Sequence, residues 1–316
     1  MSLTNLRVYS DTVDTVASEM LAQQVDLFNA ASSGGIVLRT AANRGDYAST
    51  LKYQKISGLI AERDPTSSAA VSALDLVRIL EGSVKLSRRV GPVNLIPSDY
   101  DWIMRSPEEA GATVAAQVAA DRLGDMLNSA LTAFVAATLN VGTTLYKDMG
   151  ATSITLSGLA DGAQLLGDVQ SKIACWVMHS KTWTDLYKAG ITGSNTLFQY
   201  GTVNIVKDPL GRPFIITDST NLISASDYYT CGLVSGGIVV EDNGDMRSNT
   251  VVSNLTQNIA ATYQGQYSYN LGLLGYKWDE TNGGRAPVAA SIATGTNWDK
   301  TATSVKDCAG VVVIAH

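Results

Sequence analysis

Cys175 and His179 are the residues whose types could support nucleophilic chemistry, because a histidine can act as the base for a thiol. They lie four residues apart in a segment that we predict to be a strand followed by a turn, where that spacing does not bring the two side chains together. The chain contains 2 histidines in all, which leaves little material for a Ser-His-Asp triad or a histidine-rich metal site. We therefore predict a structural role for Cys175.

Two further segments resemble binding motifs only in part. Residues 241–245 are acidic, but they lack the ligand spacing and the closing Glu of an EF-hand, so we predict an exposed turn. Gly232, Gly236 and Gly237 lack the spacing of a nucleotide-binding loop and predict a bulge or a close backbone contact. The sequence therefore predicts no catalytic residue, no cofactor and no metal site.

Lys85, Arg88 and Arg89 form the densest basic cluster of the chain. The cluster could contact nucleic acid, but a solvated strand face or an intersubunit ion pair is the favoured interpretation. The formal net charge is −6 and the pI is near 5.0. A general nucleic-acid binder needs a basic surface that releases counterions from phosphates, so this charge argues against that class of protein.

The composition indicates a large globular protein of one to three domains. The chain has 316 residues, of which 45% are hydrophobic and 16% are charged. So few charges suggest that much of the surface contacts other protein. The 3 cysteines are far apart, which excludes a disulfide scaffold and a CxxC zinc site and fits a reducing compartment. The first residues lack a signal-peptide pattern, and the apolar runs are too short to cross a bilayer, so we expect no membrane association.

A long helix from Ser106 to about Leu139, here called the spine helix, is the main positioning element that the sequence predicts. Ser106, Pro107 and Glu109 have the types and spacing of a capping box with proline at the first helical position. Apolar residues then recur at helical spacing, Leu127 among them. A helix of this length spans about 50 Å, most of the width of a compact chain, and suits a strut better than a small enzyme.

The segments before the spine helix predict extended structures with little core of their own. We predict that residues 1–33 form an arm with a short helix. Residues 36–40 and 50–56 are predicted to be the two strands of a hairpin whose polar tip is 41–49. A hairpin with so few apolar residues is not stable alone, so we expect it to lie on another surface, in the same chain or in a neighbour.

Residues after 140 have the pattern of a mixed α/β domain, and the alternation of Val84 and Leu86 predicts a strand before the spine helix. We predict helices at 159–173 and at 181–188, the latter ended by Gly190. The predicted strands are 174–178, 203–206, 213–217, 228–240, 261–278 and 311–314.

The order of these elements, and several local phrases, resemble the major capsid proteins of tailed bacteriophages, which have the Hong Kong 97 fold. The phrases are residues 173–180 running into the helix at 182–187, residues 206–214, residues 232–238, and 297–298 followed by 309–312. The resemblance covers nearly the whole chain. It implies an α+β fold with four parts, namely an N-terminal arm (1–33), an extended β-hairpin loop (34–70), a peripheral domain with the spine helix (71–140 and 286–316), and an axial domain (141–285).

The resemblance also implies the partners and the location. The chain would self-assemble through hexamers and pentamers, in the host bacterial cytoplasm, into an icosahedral virion capsid around double-stranded DNA. From the net charge of −6, we expect it to contact that DNA weakly and without sequence preference. A separate scaffolding protein (or a removed segment), a portal and a decoration protein are further partners. The residues predicted to contact neighbouring subunits are Arg44, Asp46, Tyr47, Lys52, Lys85, Arg88 and Arg89. Two alternatives stay open at this point, an encapsulin-like cellular nanocompartment shell and a soluble oligomeric hydrolase.

Overall fold

The computed structural model describes residues 3–40, 45–53, 60–63, 65–68, 70–73, 78–95, 101–103, 105–192, 211–253 and 260–316. Its helices are α1 (Leu3–Ala31), α2 (Pro107–Val141), α3 (Leu156–Gln164), α4 (Ser180–Thr192), α5 (Glu280–Gly283) and α6 (Ala289–Ile292). Its strands are β1 (Ile36–Thr40), β2 (Tyr47–Tyr53), β3 (Arg78–Leu95), β4 (Tyr146–Asp148), β5 (Ile173–His179), β6 (Phe214–Thr217), β7 (Ile223–Ser224), β8 (Asp227–Val234), β9 (Ile238–Asp242), β10 (Arg247–Ser253), β11 (Ala260–Leu273), β12 (Tyr276–Trp278), β13 (Trp298–Lys300) and β14 (Gly310–Ala315).

The predicted spine helix is confirmed as α2, which has 35 residues. At about 1.5 Å per residue it is about 53 Å long. Met126 and Phe134 are buried at 1% and 0% exposure, whereas Leu127 is only half-buried at the margin of the core. The face of α2 that packs into the core is therefore centred on Met126 and not on Leu127, a slight rotation from the predicted face.

The predicted capping box at the start of α2 is wrong. Ser106 is the N-cap residue, but its side chain accepts no cap hydrogen bond. Its backbone N–H instead donates to the carbonyl of Trp102 at 2.9 Å, which continues the helical stretch at residues 101–103. Pro107 at the first position, with Glu108 and Glu109 in the first turn, provides the helix start that the sequence predicts.

We expect the substitution Ser106→Ala to change the free energy of unfolding by no more than about 0.5 kcal/mol, the level of an ordinary surface substitution. Thr155→Ala is the matched comparison, because the Thr155 side chain accepts a hydrogen bond from the Gly158 N–H at 3.1 Å at the start of α3. Loss of such a cap costs about 1 kcal/mol. Urea titrations of the two variants measure the difference, and a larger loss for Ser106→Ala would contradict it.

The N-terminal segment is a packed helix and not the predicted arm with a short helix. α1 has 29 residues, and it runs parallel to α2 because Tyr9 and Thr12 lie against Gly111 while Leu21 lies beside Met126. A Cβ atom at Gly111 would be 3.0 Å from the Cβ of Thr12, so glycine permits this close approach. Buried residues recur every three to four positions along α1, and they are Leu6, Tyr9, Val13, Ala17 and Leu21.

The larger sheet packs one face against α2. Its strand order is β1-β9-β11-β3-β12-β13, with β10 paired to β11 and β2 paired to β3. The long antiparallel pair β3–β11 forms its centre, where Leu86 lies opposite Tyr269 and both are buried at 0% exposure. The predicted strand at Val84 and Leu86 is confirmed.

The predicted hairpin of residues 36–40 and 50–56 is wrong. β1 pairs in parallel with β9, whereas β2 pairs antiparallel with β3. Ile36 and Leu38 of β1 are buried in the core, and this burial stabilises β1 more than a polar partner strand could. Within the predicted tip, residues 41–44 lie outside the described part of the chain, and residues 47–49 belong to β2.

The smaller sheet has the order β4-β14-β8-β5-β6, with β7 paired to β8. The predicted strands at 174–178, 213–217 and 311–314 are confirmed as β5, β6 and β14, while 203–206 lies outside the described residues. The predicted helix at 159–173 is instead α3 followed by the 3₁₀ helix Gly167–Lys172. Gly190 does not end α4, which continues to Thr192.

The predicted strands at 228–240 and 261–278 are each two strands. β8 and β9 are separated by a turn at 235–237, with Gly236 at φ 69°, and they lie in different sheets. β11 and β12 are separated by a turn at Leu274–Gly275. β14, from the segment predicted as peripheral, lies in the smaller sheet, and β9 to β12, from the segment predicted as axial, lie in the larger one.

Candidate functional site: the assembly surfaces

A partly buried polar network connects α2 to the larger sheet. Asp125 Oδ2 accepts hydrogen bonds from Arg88 Nε at 3.0 Å, Tyr267 Oη at 3.1 Å and Tyr269 Oη at 2.9 Å. Ser129 extends the network, because its Oγ lies 3.1 Å from the Arg88 guanidinium and 2.9 Å from the Tyr269 hydroxyl. One carboxylate with three donors holds helix and sheet in a single register.

Arg122 forms a second connection one helical turn earlier. Arg122 is only 1% exposed, and its guanidinium donates a hydrogen bond to Asp242 Oδ2 of β9 at 2.9 Å. The same guanidinium lies 4.7 Å from the ring centroid of Tyr267, within the range of a cation–π contact. Neither Arg122 nor Asp125 was predicted from the sequence. Two charged residues three positions apart on an apolar helix are nevertheless a recognisable signal of a polar contact on its buried face.

The predicted basic cluster divides between the two faces of the sheet, because successive residues of a strand point in opposite directions. Arg88 faces α2 and is engaged by Asp125. Lys85 and Arg89 lie on the other face, where Lys85 Nζ is 3.9 Å from Asp245 Oδ2. Arg89 is exposed, and it forms no ion pair within the part of the chain that the structure describes.

Lys85 and Arg89 line a groove of about 520 Å³ on this outer face, here called the basic groove. Arg247 of β10 and Gln266 of β11 lie in it, in the register Arg247–Gln266–Arg89 across three neighbouring strands. Its full lining is Lys85, Ser87, Arg88, Arg89, Asp245, Arg247, Gln264, Gln266, Tyr267 and Ser268. The groove can therefore hold an anionic group between cationic side chains.

The other residues predicted to contact neighbours are placed as follows. Arg44 lies outside the described residues. Asp46 is exposed, and its carbonyl accepts a hydrogen bond from the Lys85 N–H at 3.0 Å. Tyr47 is half-buried, and burial raises the pKa of its hydroxyl. Lys52 lies in β2 opposite Ile79. The intersubunit role of these residues stays a prediction.

Cys175 and His179, the residues considered for nucleophilic chemistry, are placed as follows. Cys175 is buried beside Cys231, and burial raises the pKa of the Cys175 thiol to about 12. The His179 ring packs against the Tyr228 ring at a tilt of 55°, with ring centroids 5.4 Å apart. In the described residues, no group of three or more His, Cys, Asp and Glu side chains is placed to hold a metal ion. None of the helices in these residues is long and apolar enough to cross a membrane.

The acidic segment 241–245 is not the predicted exposed turn. Glu241 and Asp242 belong to β9, Asn243 is buried, and Asp245 accepts a hydrogen bond from the Ser268 N–H at 2.8 Å. The predicted close backbone contact at Gly232 is confirmed, since a Cβ atom there would lie 2.6 Å from the Trp176 ring.

Comparison with known folds places this architecture among phage capsid chains. The structure aligns with a chain titled Acidic stable capsid structure of Helicobacter pylori bacteriophage KHP30 with a TM-score of 0.50 and 8% identity, over 90% of this chain and 88% of the other. A chain from Mycobacterium phage Bobi aligns with a TM-score of 0.51 and 9% identity, over 88% of each chain. The Cyanophage Pam1 capsid aligns with a TM-score of 0.50 and 11% identity, over 73% of this chain and 81% of the other.

Sequence comparison gives the family. No curated protein sequence matches the chain significantly. A family model described as Gp13-like, major capsid protein 13-like, matches residues 5–312. This match favours the capsid interpretation over the nanocompartment shell and the hydrolase. The chain therefore belongs to the Gp13-like family of major capsid proteins, and it is a structural, non-enzymatic component of the capsid shell of a tailed-phage virion.

Proposed function

We propose that this chain assembles through hexamers and pentamers into a closed icosahedral shell around a double-stranded DNA genome. The observation that carries the proposal is the β2–β3 strand pair and the link between its strands. The described parts of the link, residues 60–63, 65–68 and 70–73, are exposed, and Ile60 and Val71 are 96% and 93% exposed. Apolar side chains so exposed favour burial against a neighbouring copy.

The same reasoning assigns parts of the chain to places in the shell. We assign α1, α2 and the larger sheet to the peripheral domain. Asp125 and Arg122 join α2 to the sheet, and Asp14 of α1 accepts a hydrogen bond from the Ser248 N–H of β10. The smaller sheet is assigned to the axial domain, with β14 included. The β2–β3 pair with its link takes the place of the predicted loop at 34–70.

A shell that encloses a genome needs further protein partners in addition to copies of this chain. A scaffolding protein, a portal and a decoration protein are proposed to complete the particle. With a net charge of −6, the subunit is expected to contact packaged DNA only weakly and without sequence preference.

The double substitution Ile60→Ser with Val71→Ser tests the role of the link. We expect a folded subunit with an unchanged thermal midpoint, because both side chains are exposed, and at least a tenfold loss of closed particles. Leu27→Ser is the matched control, since Leu27 is 73% exposed on α1 outside the link. Negative-stain microscopy and sedimentation velocity measure the particles. Normal particle yield from the double variant would show that the link is not an assembly element.

A further inference from the structure

We propose that the basic groove receives an acidic tip of a second copy of this chain, in a head-to-tail contact. The acidic tip consists of Asp101 and Trp102 with Glu108 and Glu109 at the start of α2. This inference rests on the proposed function, because it names one of the contacts by which copies would assemble.

The basic groove has the charge and spacing of a site for two carboxylates. Arg89 and Arg247 are exposed and flank Gln266 on three neighbouring strands. Two strand spacings place their backbones about 10 Å apart. Neither arginine forms an ion pair among the described residues, whereas Lys85 already faces Asp245 at 3.9 Å. The two arginines are therefore the cations available to an incoming partner.

The acidic tip has the complementary composition. Asp101, Glu108 and Glu109 are all exposed, with Arg105 as the one basic side chain among them. Trp102 is 40% exposed beside these carboxylates. Tryptophan is enriched among the residues that dominate binding energies, and its ring can stack on a guanidinium. The hydrogen bond from the Ser106 N–H to the Trp102 carbonyl, at 2.9 Å, fixes the aromatic segment against α2.

The two surfaces cannot meet within one subunit. Ile103, the residue after Trp102 of the acidic tip, packs in the same buried cluster as Ala110, on the side of the sheet that carries α2. The basic groove lies on the opposite face, since Arg88 contacts α2 and Arg89 points away from it. A contact between different surfaces of two copies is heterologous, and such contacts build rings and larger closed assemblies.

The groove suits a peptide better than a nucleic-acid backbone. Gln264 and Gln266 offer acceptors as well as donors, and a phosphate backbone supplies few donors to use those acceptors. A continuous duplex needs a longer basic track than three strands provide.

Charge exchange tests the contact. The groove variant is Arg89→Glu with Arg247→Glu, and the tip variant is Glu108→Lys with Glu109→Lys. A third variant carries all four substitutions, so that opposite charges face each other again. Circular dichroism and thermal unfolding establish that each variant is folded, and sedimentation velocity with electron microscopy measures shells. We expect at least a tenfold loss of shells in the groove and tip variants, and recovery of most of that loss in the four-site variant.

Several outcomes would overturn the inference. They are normal shells from the groove or tip variant, no recovery in the four-site variant, or normal shells together with lost binding to a 20-base-pair DNA duplex in the groove variant. The last result would identify the groove as a nucleic-acid site. The proposed function itself would be contradicted by wild-type chain that forms neither shells nor capsomer rings. The inference is then judged by concentration-dependent dimerisation of the same four proteins, which should follow the same order.

Discussion

Replacing Arg122 with methionine should lower the free energy of unfolding by about 3 kcal/mol, at the lower end of the cost of breaking a buried ion pair. Methionine keeps most of the apolar packing, but it leaves the Asp242 carboxylate without the guanidinium that lies 2.9 Å away. The Asp242 side chain is 17% exposed, so water offsets only part of that loss. Urea unfolding of the purified subunit, followed by circular dichroism, measures the change.

A double-mutant cycle separates the ion pair from the packing around it. Arg122→Met leaves the Asp242 carboxylate without its partner charge, and Asp242→Asn removes that carboxylate. The double variant should therefore be more stable than the sum of the single losses predicts. Leu127→Met serves as a control, since Leu127 is a half-buried residue of the same helix. Additive losses for Arg122 and Asp242 would mean that the two side chains do not stabilise the fold as a pair.

Alkaline pH should unfold the subunit steeply. Burial raises the pKa values of a set of tyrosines and cysteines, namely Tyr9, Tyr263, Tyr267, Tyr269, Tyr276, Cys175, Cys231 and Cys308. In the unfolded chain these groups lose protons near their ordinary values of 9.0 and 10.0, while the folded chain keeps them protonated. The free energy of unfolding therefore keeps its full value below pH 9. It falls as the pH rises toward 12, by about 1.4 kcal/mol per pH unit for each group.

Tyr9→Phe tests the assignment of one of these protons. Burial, together with the neighbouring Tyr263, raises the pKa of Tyr9 to about 12. The variant should lose stability less steeply above pH 10, by about one proton, when urea midpoints are compared at a series of pH values. An unchanged slope would show that Tyr9 ionises equally in both states.

Elements with strong local signals could be predicted from the sequence, and elements that depend on distant partners could not. The periodic apolar residues around Phe134 gave the spine helix to within a few residues at each end. β1 was recognised as a strand, but its partner β9 lies some 200 residues away, so the predicted pairing with β2 was wrong. Local pattern fixes the type of an element, while pairing depends on which strand offers a matching buried face.

The candidate site was predictable only in part, for a related reason. The density of charge identified Lys85, Arg88 and Arg89, but the division between two faces depends on strand register. Arg247 joins the basic groove through its pairing with Gln266, which no sequence spacing indicates. At Ser106, the preceding helical residues supply the acceptor for the N–H that the Glu109 side chain would provide in a capping box, which the local spacing did not indicate.

The position of β14 has a consequence for the timing of synthesis. This strand, residues 310–315, lies between β4 and β8 in the smaller sheet, and Val311, Val312 and Val313 are at 0% exposure. Protein domains begin to fold while their chains are still being made, and the N-terminal parts emerge first. The smaller sheet therefore stays divided until residues 310–315 have left the ribosome. Chains that stop before residue 310 lack this internal strand, so we expect translation itself to exclude them from the shell.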